Sequence, residues 1–252
     1  MYLQQIRNAT IFLCYGGKKF LIDPVLAPKG SWPPFPNSIR QDQNNPLVDL
    51  PVPIDELLKA DAYIITHLHT DHFDEWAQQL IPKNATIFIQ NTSDQMTLSK
   101  KGFKNLHILD ENTSFYGVHL IKTPGQHGRG DILLKAGEVC GIIFRHPTEK
   151  TLYIAGDTVW CKDVAETIHK YSPKVIVANA GANRMLDSEL LIMGKEDVYE
   201  LWKATPNATL IASHMEAVNH WTLSKRELAV FAQEHNFSKY LLIPDDGQGY
   251  SL

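Results

Sequence analysis

The chain has 252 residues, 44% hydrophobic and 21% charged, with a formal net charge of -4. That suits a folded protein with a sizeable core, one large domain or two small ones, and gives no electrostatic case for gripping nucleic acid. No run of 18 apolar residues argues for a membrane span, and no basic-then-apolar N-terminus argues for a secretory signal, so a cytoplasmic protein is expected.

Residues 2–23 read as a run of strands: 10–15 is apolar and β-rich, Gly16-Gly17 is a hairpin signal, 18–22 returns, and Asp23-Pro24 ends it. Residues 28–53 are Pro-rich, with Trp32 and Phe35 among polar residues, so regular structure is not expected. A loop this long is usually functional or disordered. Its two aromatics suggest an ordered flap near a site or an oligomer contact, with a plain exposed insertion as the alternative.

A short helix over 54–60 leads into Ala62-Tyr63-Ile64-Ile65, which reads as a buried strand. It ends in Thr66-His67-Leu68-His69-Thr70-Asp71-His72. Alternate side chains of an extended segment share a face, so His67 and His69 can point together. The turn into a helix over 73–81 re-aims Asp71 and His72. A lone loop histidine is usually an ordinary polar residue. Three with an Asp, at the C-terminal end of a buried strand, form a metal-ligating pattern.

Further strands are expected over 86–90, 106–109 and 113–123, with a helix over 92–101 closed by Gly102. Thr123-Pro124-Gly125-Gln126-His127-Gly128 is a strand end turning into a Gly-rich loop with a histidine at its tip. After a strand over 137–145, residues 151–158 form a hydrophobic strand ending in Asp157, as 19–23 ends in Asp23. A helix over 161–171 and a buried strand over 173–180 follow. Hairpin, Asp, helix, strand and loop thus occur in both halves, which predicts a pseudo-duplicated architecture with 181–184 as counterpart of the histidine loop. A helix over 195–203, a strand over 209–212 running into Ser213-His214-Met215-Glu216, an amphipathic helix over 223–235, a strand over 240–243 and a turn at Asp245-Asp246-Gly247 complete the chain.

Four strand ends therefore carry candidate ligands: His67/His69/Asp71/His72, His127, Asp157 and His214. Imidazole with carboxylate suits zinc, iron or manganese. Cys14, Cys140 and Cys161 are scattered and suggest neither a disulfide framework nor a CxxC site.

The HxHxDH run His67 to His72, with Asp23 upstream and His127, Asp157 and His214 downstream in that order, resembles the metallo-β-lactamase fold superfamily. Leu21-Ile22-Asp23-Pro24, Tyr153-Ile154-Ala155-Gly156-Asp157-Thr158 and Ser213-His214-Met215 look most like its L-ascorbate-6-phosphate lactonase-like branch of metal-dependent hydrolases. The resemblance spans nearly the whole chain. It implies one α/β (α+β) domain over residues 1–252, an αββα sandwich of two mixed sheets flanked by helices, with metals at the sheet edges. It also implies two divalent ions, zinc first, with manganese or iron as alternatives. His67, His69 and His127 would hold one ion, Asp71, His72 and His214 the other, and Asp157 would bridge them. Asp23 would hold the histidine loop rather than bind metal.

Two such ions can share a hydroxide near neutral pH. The expected activity is metal-dependent hydrolysis of a small ester, lactone or phosphoester. Asp71 would orient the nucleophile as well as bind metal. His220 and Glu216 are candidates to assist the leaving group, with plain hydrogen bonding as the alternative. Asn183 and Arg184 could contact an anionic substrate, and Arg184 could equally make a structural ion pair. The rival activities are an iron-dependent oxidoreductase on the same fold, and a phosphodiesterase or nuclease, the nuclease disfavoured by the net charge. The expected partner is a small-molecule substrate, with no nucleic acid, no membrane, and a homo-oligomer left open.

Overall fold

Strands that are apolar at every position need cover on both faces. The chain supplies it by stacking two seven-stranded sheets between helices, in a computed structural model that describes residues 1–252. The first half runs β1 (Tyr2–Arg7), β2 (Thr10–Tyr15), β3 (Lys18–Ile22), α1 (Ile54–Leu57), β4 (Ala62–Ile65), α2 (Glu75–Leu80), β5 (Ile87–Ile89), α3 (Thr92–Lys100) and β6 (Leu106–Ile108). The second opens with β7 (Ser114–Phe115), β8 (Val118–Pro124), α4 (Asp131–Ala136), β9 (Cys140–Arg145) and β10 (Leu152–Ile154). It continues with α5 (Lys162–Tyr171), β11 (Val175–Asn179), α6 (Lys195–Ala204), β12 (Thr209–Ser213), α7 (Lys225–Glu234), β13 (Leu241–Leu242) and β14 (Gly249–Ser251).

The sheet orders are β14-β1-β2-β3-β4-β5-β6 and β13-β12-β11-β10-β9-β8-β7. β1, β2 and β3 pair antiparallel and β3 to β6 parallel. β8, β9 and β10 likewise pair antiparallel and β10 to β13 parallel. This shared series is the duplication anticipated from the sequence.

Side chains along each central strand alternate between two cores. Ala62 and Ile64 of β4 meet Ile142, Ile154 and Val177 of the opposite sheet, whereas Tyr63 and Ile65 turn outward onto Leu57, Phe73, Ala77 and Leu98. On β11, Val175 and Val177 face inward, and Ile176 and Ala178 face Val164, Val198, Leu201 and Leu228. Each such side chain contributes roughly 1.5–3 kcal/mol on burial, so register is strongly fixed and the strand ends are held at set positions. No helix is long and apolar enough to cross a membrane.

Two elements differ from expectation. α4 falls in residues 129–136, to which the sequence assigns no element, because six residues between Gly130 (φ 58) and Gly137 (φ 84) are too few to show a period. β14 lies beyond the closing turn and pairs with β1, a partner more than 200 residues away that no local pattern reveals.

Residues 28–53 lack helix but are tied down. Trp32 and Asn45 form an isolated bridge. Buried Asn219 accepts the Phe35 N–H (2.8 Å) and donates to Ser38 Oγ (2.7 Å) and the Ile39 carbonyl (2.8 Å). The Arg40 guanidinium lies 3.6 Å from the Trp221 ring centroid and donates to the Trp221 carbonyl. The segment is thus an ordered flap held against residues 217–221.

Cys140 is fully buried in the inter-sheet core, and burial pushes its thiol up to about 12. In native protein it should resist thiol reagents that label the half-buried Cys14 and Cys161, and react only on unfolding. Counting modified cysteines by mass spectrometry checks this.

Candidate metal centre

The histidine loop leaves the C-terminal end of β4, and His127, Asp157 and His214 leave β8, β10 and β12. Turns at these ends are tight. Asp23 (φ 47) and His214 (φ 57) adopt left-handed backbone, an uncommon state for residues with a Cβ. Gly156 (φ 70) is required because a Cβ there would strike the Cys140 carbonyl.

The structure brings all seven candidate ligands together. Three overlapping sets have donor atoms within 4.8 Å of one another: His67/His69/His127, His67/His72/Asp157 and Asp71/His72/His214. Asp157 Oδ2 sits among them, 3.1 Å from His72 Nε2, 3.7 Å from His127 Nε2, 3.8 Å from His214 Nε2 and 4.0 Å from His67 Nε2. Its other oxygen accepts from Asn179 Nδ2 at 2.6 Å. Asp71 Oδ2 lies 3.3 Å from His214 Nε2, and the Asp71 carbonyl accepts from Asn8 Nδ2 at 2.7 Å.

The hydrogen bonds fix which nitrogens are bare. His127 Nδ1 donates to the Leu191 carbonyl (3.1 Å), leaving its Nε2 as a lone pair. His72 Nδ1 faces Asp23 Oδ2 (2.9 Å), so in the neutral ring Nε2 is again bare. Thr66 gives its hydroxyl proton to Asp23 Oδ2 (2.7 Å), so its oxygen accepts from His67 Nδ1 (3.2 Å) and His67 Nε2 is bare too. Asp23 therefore sets two tautomers, one directly and one through Thr66. It braces the loop from behind.

This leaves the bare Nε2 atoms of His67, His72 and His127 turned towards the same space. His67 Nε2 is 3.0 Å from His69 Nδ1, which is 3.3 Å from His127 Nε2. His72 Nε2 and His214 Nε2 are buried without an aligned hydrogen-bond partner, although carboxylate oxygens lie close. Convergent bare nitrogens and carboxylates are what a cation satisfies, so the residues fit a metal site.

Charge in the metal-free protein follows burial and the carboxylates. Burial holds His67 well below, and His69 below, the usual imidazole range. Burial opposes charge on His72, but Asp157 and Asp23 outweigh it and hold the ring well above that range. Burial likewise resists the Asp157 anion, and His72 and His214 overcome it to keep the carboxyl well below its usual value. His220 is pushed down to about 4 by burial.

Below about 6.5 the unfolded chain takes up protons that folded His67, His69 and His220 refuse, so stability falls with acidification. Above that value folded His72 keeps a proton the unfolded chain has lost, and this stabilisation disappears as pH rises through its raised value. Metal-free protein should therefore be most stable near pH 6.5 in thermal melts. Metal requires neutral His72, so loading near pH 7 should release about one proton from His72 in addition to any from metal-bound water, measurable by calorimetry in two buffers, and remove the alkaline loss.

The ligands floor a cavity of about 380 Å³. Phe35, Leu68, Ile132, Met185 and Leu191 supply apolar wall, and Asn183 and His220 complete it beside the ligands. Phe35 meets the His220 ring edge-on at 4.5 Å, so the flap reaches the site. Asn183 is buried against His214 and His220. Arg184 does not line this cavity: it is exposed, its side chain turns back to the Met185 carbonyl, and it makes no ion pair. Glu216 accepts the Lys225 N–H at the start of α7 and also stays out. Sequence reading missed Asn179, Asn8 and Asn219. Asn179 carried a signal, a polar residue ending the apolar run Val175–Asn179.

Fold and site together define a metallo-β-lactamase-type centre, and the profile described as Beta-lactamase superfamily domain matches residues 18–215. The chain belongs to that superfamily and, within it, to the UPF0173 family of metal-dependent hydrolases. It is 53% identical to UPF0173 protein YddR of Bacillus subtilis (strain 168), over 100% of both chains. Among solved structures it is similar to an isothiocyanate hydrolase from Delia radicum gut bacteria, with 44% identity and a TM-score of 0.96 over 100% of this chain and 99% of that one. It is also similar to a possible metal-dependent hydrolase from Veillonella parvula DSM 2008, with 37% identity and a TM-score of 0.96 over 100% and 99%.

Proposed function

We propose that this chain is a binuclear metal-dependent hydrolase that adds water to the electrophilic carbon of a small, uncharged, largely apolar substrate. Isothiocyanates come first; esters and lactones, which the narrower resemblance to the lactonase branch implies, present a comparable carbon. The observation that carries the reading is the cavity itself, with ligands at the floor and apolar side chains on the walls. Lys135 is the only cationic side chain lining it, which gives little support for a phosphoester. The 44% identity to an isothiocyanate hydrolase supports the same choice.

His67, His69 and His127 would hold one ion, and Asp71, His72 and His214 the other, with Asp157 between. Zinc suits this donor set, as do manganese and iron. Such ions lower the pKa of bound water towards ~7 and polarise an acceptor atom.

The chain's own residues do the rest. Asp23 and Leu191 hold ligand tautomers, and Asn179 holds Asp157 in place. Phe35 and the flap limit water around the substrate. His220 is neutral at pH 7 and so offers a hydrogen bond, not a charge. For R–N=C=S, water adds oxygen to the carbon and hydrogen to the nitrogen. The resulting thiocarbamate loses its C–N bond, releasing an amine and carbonyl sulfide, with no oxidant or reductant consumed.

Zinc- or manganese-loaded protein should release amine from an arylalkyl isothiocyanate faster than it cleaves an aryl phosphodiester, with a γ-lactone and an aryl ester assayed alongside. No turnover of any carbon electrophile with two ions bound would overturn the reading.

A further inference from the structure

Four of the ligand histidines bind through Nε2 if the metal reading above holds, and three of these have Nδ1 against an oxygen: His67 on Thr66, His72 on Asp23 and His127 on Leu191. His214 is the exception. Its Nδ1 lies 3.4 Å from Asn183 Nδ2, and His220 Nε2 lies 3.2 Å from the same atom. In that orientation the amide donates to both rings, which puts the His214 proton on Nε2. That nitrogen then faces the carboxylates of Asp71 and Asp157 without an aligned partner, and Asn183 Oδ1 is buried with no partner at all.

The two ends of an Asn amide are isosteric, and the network decides which is which. Exchanging them resolves both defects. The oxygen, with two lone pairs, accepts from His214 Nδ1 and His220 Nε2. The NH2 group takes the place beside Gly181, where it and the His214 carbonyl oxygen border the space a Gly181 Cβ would fill. There an N–H has a carbonyl oxygen nearby as a candidate acceptor, which an amide oxygen could not use. Asn183, His214 and His220 are all at least nine-tenths buried, so water does not offer a substitute partner.

We propose that Asn183 is a positioning residue of the metal centre, its side-chain oxygen accepting from His214 Nδ1 and His220 Nε2, so that His214 presents its Nε2 lone pair to the second ion. The role rests on the binuclear reading. It moves Asn183 from substrate contact to ligand orientation, and it makes His220 an Nε2–H tautomer whose buried Nδ1, which has no partner, is the ring's free acceptor.

The test compares Asn183→Leu, which removes the oxygen at similar size, with Asn183→Asp, which keeps acceptors and removes the donor. Zinc titration of metal-free protein by calorimetry should show two events in the wild type. In Asn183→Leu the second should weaken about 10–100-fold, the usual cost of losing a hydrogen-bond partner behind a ligand histidine, while the first is kept. Asn183→Asp should retain the second event to within a few-fold, and the visible spectrum of its cobalt form should match the wild type. In metal-free wild-type protein, nitrogen-15 NMR of the histidine rings should find the His214 proton on Nδ1. Two unchanged events in Asn183→Leu, an Asp variant as impaired as the Leu variant, or a His214 proton on Nε2 would each overturn the proposal and leave the metal reading standing. The NMR measurement decides even if the Leu variant does not fold. Wild-type protein that takes up no second ion would overturn the binuclear reading and the proposal together.

Discussion

The Asp157→Asn variant is expected to lose hydrolytic activity and at least one metal ion. Asn179 Nδ2 already donates to Asp157 Oδ1 at 2.6 Å, so an amide at 157 keeps its oxygen on that side. Its NH2 is then forced to the position of Oδ2, within 4.0 Å of four histidine Nε2 atoms. There it donates to lone pairs that otherwise face the metal, and the negative charge is gone. Metal affinity should fall by more than the roughly 10–100-fold typical of a group one step removed from the ion. The fold should survive, because the side chain keeps its shape and its bond to Asn179. Metal content by mass spectrometry, with turnover and a thermal melt, checks all three expectations. Two ions and normal turnover in this variant would remove Asp157 from the centre.

Asp23→Ala should be the second most damaging change, although Asp23 touches no substrate and sits behind the ligands. One carboxylate accepts from the Thr66 N–H, the Thr66 hydroxyl and His72 Nδ1 at 2.8, 2.7 and 2.9 Å. Its removal frees both tautomers it enforces. His72 can then carry its proton on Nε2, and the Thr66 hydroxyl can turn and donate to His67. Each error blocks a lone pair. We expect metal affinity to fall about 10–100-fold, and stability by about 3–5 kcal/mol, the usual result of taking one partner from a buried charged pair. Denaturant melts with and without zinc separate the two losses. An equal affinity in Asp23→Ala and wild type would show that the tautomers are set elsewhere.

Asp157 and Asp23 differ in how they could be read before the structure. Both end short apolar strands, Leu152–Ile154 and Lys18–Ile22, and strand ends are where an α/β sheet gathers its site. Two-residue and 3.6-residue periods place such strands and the helices between them, and the seven candidate ligands stand at their ends, whereas the stacking of two sheets between helices is what the resemblance carried by the HxHxDH run implies. What escaped had no period or no local partner. α4 spans only Asp131–Ala136, and β14 pairs across the whole chain with β1. Asn8 reaches the Asp71 carbonyl, 63 residues away, and Asn219 gathers Phe35, Ser38 and Ile39 from about 180 residues away. Such bonds follow from the closed fold, and nothing in the neighbouring sequence marks them. Asn183, expected from its place in the second-half loop to contact substrate, lines the cavity and also lies against His214 and His220, contacts its neighbouring sequence does not mark.

α4 roofs the cavity with Ile132, Lys135 and Ala136 yet buries none of its six side chains, and Leu134 is 88% exposed. Detaching it uncovers only the partly covered Ile132, Leu133 and Ala136, and a helix this short has little stability of its own. Its backbone amides should therefore exchange with deuterium through local opening far cheaper than the global unfolding that exposes β4 and β11. The floor is braced by Asp23, just after β3, and by Asn179, at the end of β11, and takes no part in that opening. Admission of a substrate and fidelity of the metal geometry are thereby mechanically separate. Substitutions at Ile132, Lys135 and Ala136 are therefore expected to change the cavity wall more than the ligand geometry.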